Sequence, residues 1–358
     1  MSAGYVPVSW NRTKIVYDLA IAACVALYLA AFVVVGEQLQ SVRTPLDEQT
    51  LRMRAFGTCA FLMMSVALAI GPLARLDTRF LPLLYNRRHL GVATCFVALC
   101  HAYQVVDWYF VYSPVAPLEA LLAADTSFGQ LRGFPFVAFG IAALLVLCLL
   151  AATSHDFWLA FLGAPLWKAL HMSLYGAYAL AVLHVSFGVL QDARDWALPS
   201  VVAASALCLV GLHVAAARKA RRDDRPNAGY LQGPDGRDWI DAGPFAAFAE
   251  DRARIVTLAD DEPVAIFRHR DRLTAVTNLC AHQNGPLGEG RVVDGCITCP
   301  WHGFQYRLED GCAPPPFTEK IATYNLASSN GRVLLDPRAN PRGTPTVPLQ
   351  IPGQVPAP

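Results

Sequence analysis

Charge is scarce in this 358-residue sequence. Asp, Glu, Lys and Arg make up 16% of it, against about 25% in an ordinary soluble domain. With 54% apolar residues, that deficit excludes a disordered chain, a nucleic-acid-binding chain and a single water-soluble core. The net charge of +1 implies no charge-driven partner. Two further absences narrow the chemistry. No strand runs through a Gly-rich turn into a helix, so no NAD or flavin fingerprint is present. Outside residues 280–302, the charged C-terminal stretch holds one other histidine, His269. A mononuclear iron site of two histidines and a carboxylate cannot be assembled there.

What charge there is lies unevenly. Residues 1–217 carry 12 Lys/Arg and 11 Asp/Glu, whereas the shorter stretch 218–358 carries 17 of each. A membrane half followed by a water-soluble half explains the step. Six apolar runs, at 15–36, 55–74, 89–112, 133–153, 169–190 and 197–217, each reach the ~20 residues needed to span a bilayer. The expected fold is a six-span α-helical membrane bundle over 1–217. A basic and polar linker over 218–236 follows, then an all-β domain over 237–336. From Pro337 to 358 the chain is Pro-rich without apolar periodicity and reads as a disordered tail.

Ile21-Ala22-Ala23-Cys24 faintly matches a lipoprotein cleavage site. Asp18 leaves too short an apolar core before it, so the first run reads as an uncleaved helix. Basic residues concentrate at Arg12 and Lys14, at Arg75, Arg79, Arg87 and Arg88, and at Arg218, Lys219, Arg221, Arg222 and Arg225. The positive-inside rule then places both termini in the cytoplasm of a plasma (bacterial inner) membrane.

Titratable side chains in hydrocarbon are costly and mark function. His89 and His101 lie on the third run, His171 and His184 on the fifth. Both runs cross in the same direction, so the four form two pairs at two depths. Neutral imidazole is a good axial ligand, and two stacked bis-histidine haems would use such an arrangement. Spacings of 12 and 13 residues are off phase by ~120° and ~140° on an ideal helix. A kink at Gly91 or Gly176 could correct this. The alternative is that the histidines hydrogen-bond between helices. His155 and His213, near helix ends, read as non-ligands.

The string RRHLGVATCFVALCHAYQ (87–104) resembles the third helix of the ferric-reductase-like transmembrane family. TSHDFWLAFLGAPLWKALHMSLYGAYALAVLH (153–184) resembles its fourth-to-fifth helix region. In pattern, the stretch 50–215 is similar to the haem-binding membrane subunit of the methionine sulfoxide reductase system. The resemblance implies b-type haem, one or two, with His101, His171 and His184 at the family's positions. His89 follows Arg87-Arg88 and matches less securely.

In the charged half, Cys280-Ala-His282 and Cys299-Pro-Trp-His302-Gly303 stand sixteen residues apart. Two Cys–His pairs can hold a [2Fe–2S] cluster, with two thiolates on one iron and two imidazoles on the other. A Cys₂His₂ zinc site is the alternative. The alternating order and the CPWHG string resemble the Rieske family over 237–336. That resemblance puts Cys280 and Cys299 on the inner iron and His282 and His302 on the outer. Gly285 and Trp301 stand where respiratory members carry a disulfide, and Phe304 stands where they carry a potential-raising serine. Fewer hydrogen bonds to sulfur place the potential near the lower end of the Rieske range, about −150 mV. The site is thus similar to the ferredoxins of ring-hydroxylating oxygenases. Cys296 and Cys312 read as thiols in a reducing compartment.

Together these features predict a transmembrane electron-transfer oxidoreductase. Its donor would be a cytoplasmic reductase or ferredoxin. Its acceptor would be a periplasmic protein, quinone or ferric iron. The alternatives are quinol-to-cytoplasm transfer and a membrane-tethered redox sensor or adaptor without haem.

Overall fold

Backbone in lipid can satisfy its hydrogen bonds only internally, and the apolar runs accordingly form helices. The structure, a computed structural model, describes residues 12–39, 45–80, 83, 86–123, 129, 134–162, 164–192, 196–223, 229–259, 262–282, 285–300, 303–315 and 317–352. The helices are α1 (Arg12–Leu39), α2 (Pro45–Leu76), α3 (Arg87–Tyr112), α4 (Pro117–Ala123), α5 (Val137–Ala152), α6 (Asp156–Leu162), α7 (Ala164–Met172), α8 (Leu174–Phe187), α9 (Val189–Asp192) and α10 (Ala197–Asp223). Large apolar side chains such as Leu27, Phe96, Leu145 and Leu207 point outward. Phe61, Met64, Leu68, Cys95, Leu147 and Tyr178 form a core inside.

Five segments among the described residues are long and apolar enough to cross a membrane: Lys14–Gln38, Asp47–Leu76, Arg87–Trp108, Leu166–Phe187 and Leu198–Lys219. The expectation of a sixth full span is not confirmed among the described residues. The run at 133–153 yields α5, a helix of 16 residues. At ~1.5 Å per residue it covers about 24 Å, short of the ~30 Å hydrocarbon core. Pro135 precedes its start. At its end Thr153 Oγ1 and Ser154 Oγ turn back onto the carbonyls of Leu149 and Leu150, at 2.7 and 2.6 Å.

The fifth run is continuous through Gly176, and α3 is continuous through Gly91. The irregularity lies at Ser173, between α7 and α8, where the Ser173 N–H reaches only three residues back, to Leu170 O. That tighter 3₁₀-type step falls between the two histidines of the run.

The chain divides into two compact units. One comprises residues 6–73 and 86–213; the other comprises 1–5, 74–85 and 214–358. In the second unit Lys219 Nζ donates to Arg75 O at 2.7 Å, so the end of α10 is tied to the basic 74–85 connection. The part expected as linker starts inside α10. It also contains β1 (Tyr230–Gln232), paired with β2 (Asp238–Pro244); residues 224–228 lie outside the described residues.

The remaining strands are β3 (Ala253–Thr257), β4 (Pro263–His269), β5 (Arg272–Thr277), β6 (Arg291–Val293), β7 (Cys296–Thr298), β8 (Gln305–Arg307), β9 (Thr323–Tyr324), β10 (Leu326–Ser329), β11 (Arg332–Leu335) and β12 (Leu349–Gln350). They build antiparallel sheets ordered β1-β2-β11-β10, β12-β5-β4-β3 (with β9 on β5) and β6-β7-β8. β4 is buried on both faces, and its alternation feeds two cores. Val264 and Ile266 join Phe248, Val256 and Val333. Ala265 and Phe267 join the core that contains Cys280, Cys299 and Tyr306.

The expectation of a disordered tail is corrected for residues 337–352. The N–H groups of Asn340, Gly343, Thr346 and Ile351 donate to Thr323, Ile321, Glu309 and Asp271 carbonyls at 2.8–3.1 Å. β12 pairs with β5, Leu349 opposite Leu273. Proline limits regular secondary structure there to the short β12, and tertiary partners satisfy the rest of the anchored backbone. Residues 353–358 lie outside the described residues.

Candidate functional site

Within the helical unit, α3 carries His101 and α8 carries His184. The His101 and His184 rings meet edge to face, centroids 6.3 Å apart and planes at 77°. Nδ1 of His101 lies 3.0 Å from Met53 O on α2. Nδ1 of His184 lies 3.0 Å from Phe136 O at the start of α5. A carbonyl can only accept, so each Nδ1 bears the proton and each Nε2 keeps its lone pair. This outer partner sets which nitrogen can ligate a metal. Two neutral imidazoles with free Nε2 lone pairs are a donor set that would fit a haem iron.

His89 and His171 take different neighbours. His89 Nδ1 lies 2.8 and 2.9 Å from the two carboxylate oxygens of Asp18 on α1. His171 stacks on Trp167 with centroids 3.7 Å apart, and its Nδ1 lies 3.0 Å from Trp167 O, one turn back. His171 Nε2 is buried, and the Leu150 backbone also interacts with this ring. Arg88 lies over the other partner in that stack, its guanidinium 4.8 Å from the Trp167 ring centre. In the sequence Asp18 counts only against a cleavage site, and nothing connects it to His89. The ~120° phase difference between His89 and His101 was the available signal: on one continuous helix they must face different neighbours. His213 has both nitrogens engaged, with Tyr175 Oη at 2.7 Å and Leu209 O at 2.8 Å.

In the β unit, two loops approach each other. The first leaves β5. Leu287 N donates to Asn278 O and Cys280 N to Gly285 O, both at 2.9 Å. The second joins β7 to β8, where Cys299 N donates to Phe304 O at 2.8 Å and Gly303 N to Cys299 O at 2.9 Å. Gly303 closes this turn at φ +69°, a conformation glycine adopts without strain.

Cys280 and Cys299 are buried in one core. Tyr306 Oη lies 3.4 Å from Cys280 Sγ. Burial pushes the Tyr306 phenol up, and the neighbouring Cys280 sulfur adds to the shift. The phenol thus keeps its proton and can donate to sulfur. The His282 ring is stacked on Phe304, centroids 4.9 Å apart and planes within 7°. Phe304 in turn meets Phe317 edge-on at 5.0 Å. His302 and Trp301 lie outside the described residues. No disulfide joins any of the ten cysteines among the described residues. Cys296 is half-buried on β7, and burial raises its thiol.

Comparison with known proteins matches both halves. Residues 56–182 match the family "Ferric reductase like transmembrane component". Residues 238–325 match the Rieske [2Fe-2S] domain. A haem-binding subunit MsrQ of protein-methionine-sulfoxide reductase from Ralstonia nicotianae is 31% identical over 182 residues, covering 51% of this chain and 77% of that protein. The ferredoxin subunit of anthranilate 1,2-dioxygenase from Burkholderia cepacia is 35% identical over 99 residues, covering 27% of this chain and 89% of that one. Among solved structures, the Sphingomonas yanoikuyae B1 ferredoxin aligns at 24% identity with a TM-score of 0.26, over 27% of this chain and 97% of that chain. The chain therefore belongs to the ferric-reductase-like transmembrane family in its helical half and to the Rieske family in its β half. It is a membrane electron-transfer protein of the oxidoreductase class.

Proposed function

We propose that this chain relays single electrons from a cytoplasmic reductase or ferredoxin to a periplasmic protein, quinone or ferric iron. The carriers would be a Rieske [2Fe–2S] cluster and two b-type haems, both of which supply one-electron redox chemistry when bound. The observation that carries this reading is the His101–His184 pair, edge to face with both Nδ1 atoms committed to carbonyls. Two imidazoles held with their Nε2 lone pairs available would be able to hold one haem. A pair that merely joined helices would not need both lone pairs left over.

The buried imidazole of His171 would serve a second haem, with His89 as the other candidate ligand. Asp18 would orient His89 and raise its basicity. Cys280 and Cys299, dry and buried, would hold the inner iron, and His282 and His302 the outer. Phe304 fixes the plane of His282 by stacking. Both termini are assigned to the cytoplasm of the bacterial inner membrane on the basic clusters. The Lys219–Arg75 contact, which joins two of those clusters, supports their lying on one side.

Reduced-minus-oxidised spectra of the purified chain test this reading. Two haems per cluster are expected, with a Rieske-type EPR signal after dithionite. Absence of a b-type α-band would sink the relay and favour a tethered sensor. His184→Ala is expected to lose the deep haem, and full haem content in that variant would remove the best-supported ligand. Vesicles with reductant on one side and candidate acceptors on the other then read the direction of flow.

A further inference from the structure

The two deep imidazoles reach their carbonyls through matching gaps. In an α-helix the carbonyl of residue i accepts from the N–H of residue i+4, and the side chain at i+4 lies beside that oxygen. This chain uses that place repeatedly. The Ser65, Thr94 and Thr153 hydroxyls bond the carbonyls of Phe61, Leu90 and Leu149, each four residues back, at 2.7–2.9 Å. At Met53 and Phe136 the residue four positions on is a glycine, Gly57 and Gly140. The imidazole of a neighbouring helix enters where a side chain would be.

The fit is close. A Cβ added at Gly57 would stand 2.9 Å from His101 Cε1 and 3.0 Å from its Nδ1; one at Gly140 would stand 2.8 Å from His184 Nδ1 and 2.9 Å from its Cε1. Such contacts are too short for ordinary packing, and each ring is held at its carbonyl by a 3.0 Å hydrogen bond. The arrangement occurs twice with one spacing. Donor imidazole and acceptor carbonyl are 48 residues apart in both cases, and the glycine follows the carbonyl by four residues in both. Met53, Gly57 and His101 thus recur, at the same shift along the chain, as Phe136, Gly140 and His184.

We propose that Gly57 and Gly140 are positioning residues for the deep histidine pair. Each clears the carbonyl one turn before it, so that the imidazole donates from Nδ1 and presents Nε2 to a metal. The inference rests on the haem reading for its purpose, but the tautomer it assigns is a property of the chain alone.

The test uses the full chain in detergent, with the Rieske EPR signal as an internal measure of folding. Gly57→Ala and Gly140→Ala are expected to weaken low-spin haem retention about 10–100-fold, the cost typical of losing an outer-shell partner of a metal-bound histidine. Gly91→Ala and Gly176→Ala serve as controls. They lie on the ligand-bearing segments, where an added Cβ meets nothing within 4 Å, and are expected to retain wild-type haem. Unchanged haem retention and unchanged low-spin EPR in both cradle variants would overturn the proposal. Wild-type chain that binds no haem would defeat the relay and leave the cradle to nitrogen-15 NMR of ring-labelled histidine. There, Nδ1-protonated His101 and His184 support the cradle and Nε2-protonated rings overturn it. The same measurement on the wild type decides the matter if the glycine variants fail to accumulate.

Discussion

Tyr306 and Cys280 illustrate how one side chain can set a redox centre. The phenol sits in a dry core, held protonated by burial, 3.4 Å from the Cys280 sulfur. A donor to sulfur favours the reduced, more negative cluster. Tyr306→Phe is expected to lower the midpoint potential by roughly 20–60 mV, if the bond contributes ~0.5–1.5 kcal/mol to a one-electron couple at 59 mV per tenfold. Protein-film voltammetry of the full chain measures this, and an unmoved potential would show that the contact carries no donation. The candidate cluster residues stand out in the sequence because their order and spacing are specific. The stack of His282 on Phe304 does not, since nothing in the string says which way a ring faces.

At the scale of elements, α3 distributes its two histidines to different neighbours. His89 turns to α1 and His101 to α2, as a twelve-residue spacing on an unbroken helix requires. Asp18 thus tethers α1 to the base of α3. If His89 ligates the shallow haem, Asp18→Asn is expected to weaken its retention about 10–100-fold while leaving the deep haem in place. Haem-to-cluster ratios by pyridine haemochrome separate the two. A ratio that stays at the wild-type value would remove His89 as a ligand. Helix existence was legible from apolar run length, but helix ends were not. α5 is shorter than its apolar run because Pro135 and the Thr153–Ser154 turn bound it, and local chemistry of that kind outweighs composition.

At the scale of the whole molecule, the Pro-rich segment after β11 closes the β unit rather than trailing from it. Arg338 bridges Asp336 and Asp235 at 2.7 and 3.0 Å, and four backbone donors are anchored beyond it. Truncation after Asp336 is expected to destabilise the β unit by about 2–6 kcal/mol, counting four hydrogen bonds at ~0.5–1.5 kcal/mol each. Bleaching of the cluster absorbance against denaturant concentration reads the change. A midpoint equal to that of the intact chain would mean the segment contributes no stability.

The sequence by itself determined the division into a lipid-facing and a water-facing half, because hydropathy and charge are additive along a chain. It also determined the kinds of candidate ligand in each half, because thiolate and imidazole chemistry belong to residue types. Only the tertiary structure decided that His101 meets His184, that Asp18 takes His89, that glycines stand opposite two imidazoles, and that a proline-rich end is held in place. Each of those depends on a contact between segments tens of residues apart. Helix phase limits such contacts without specifying them, and packing selects among them.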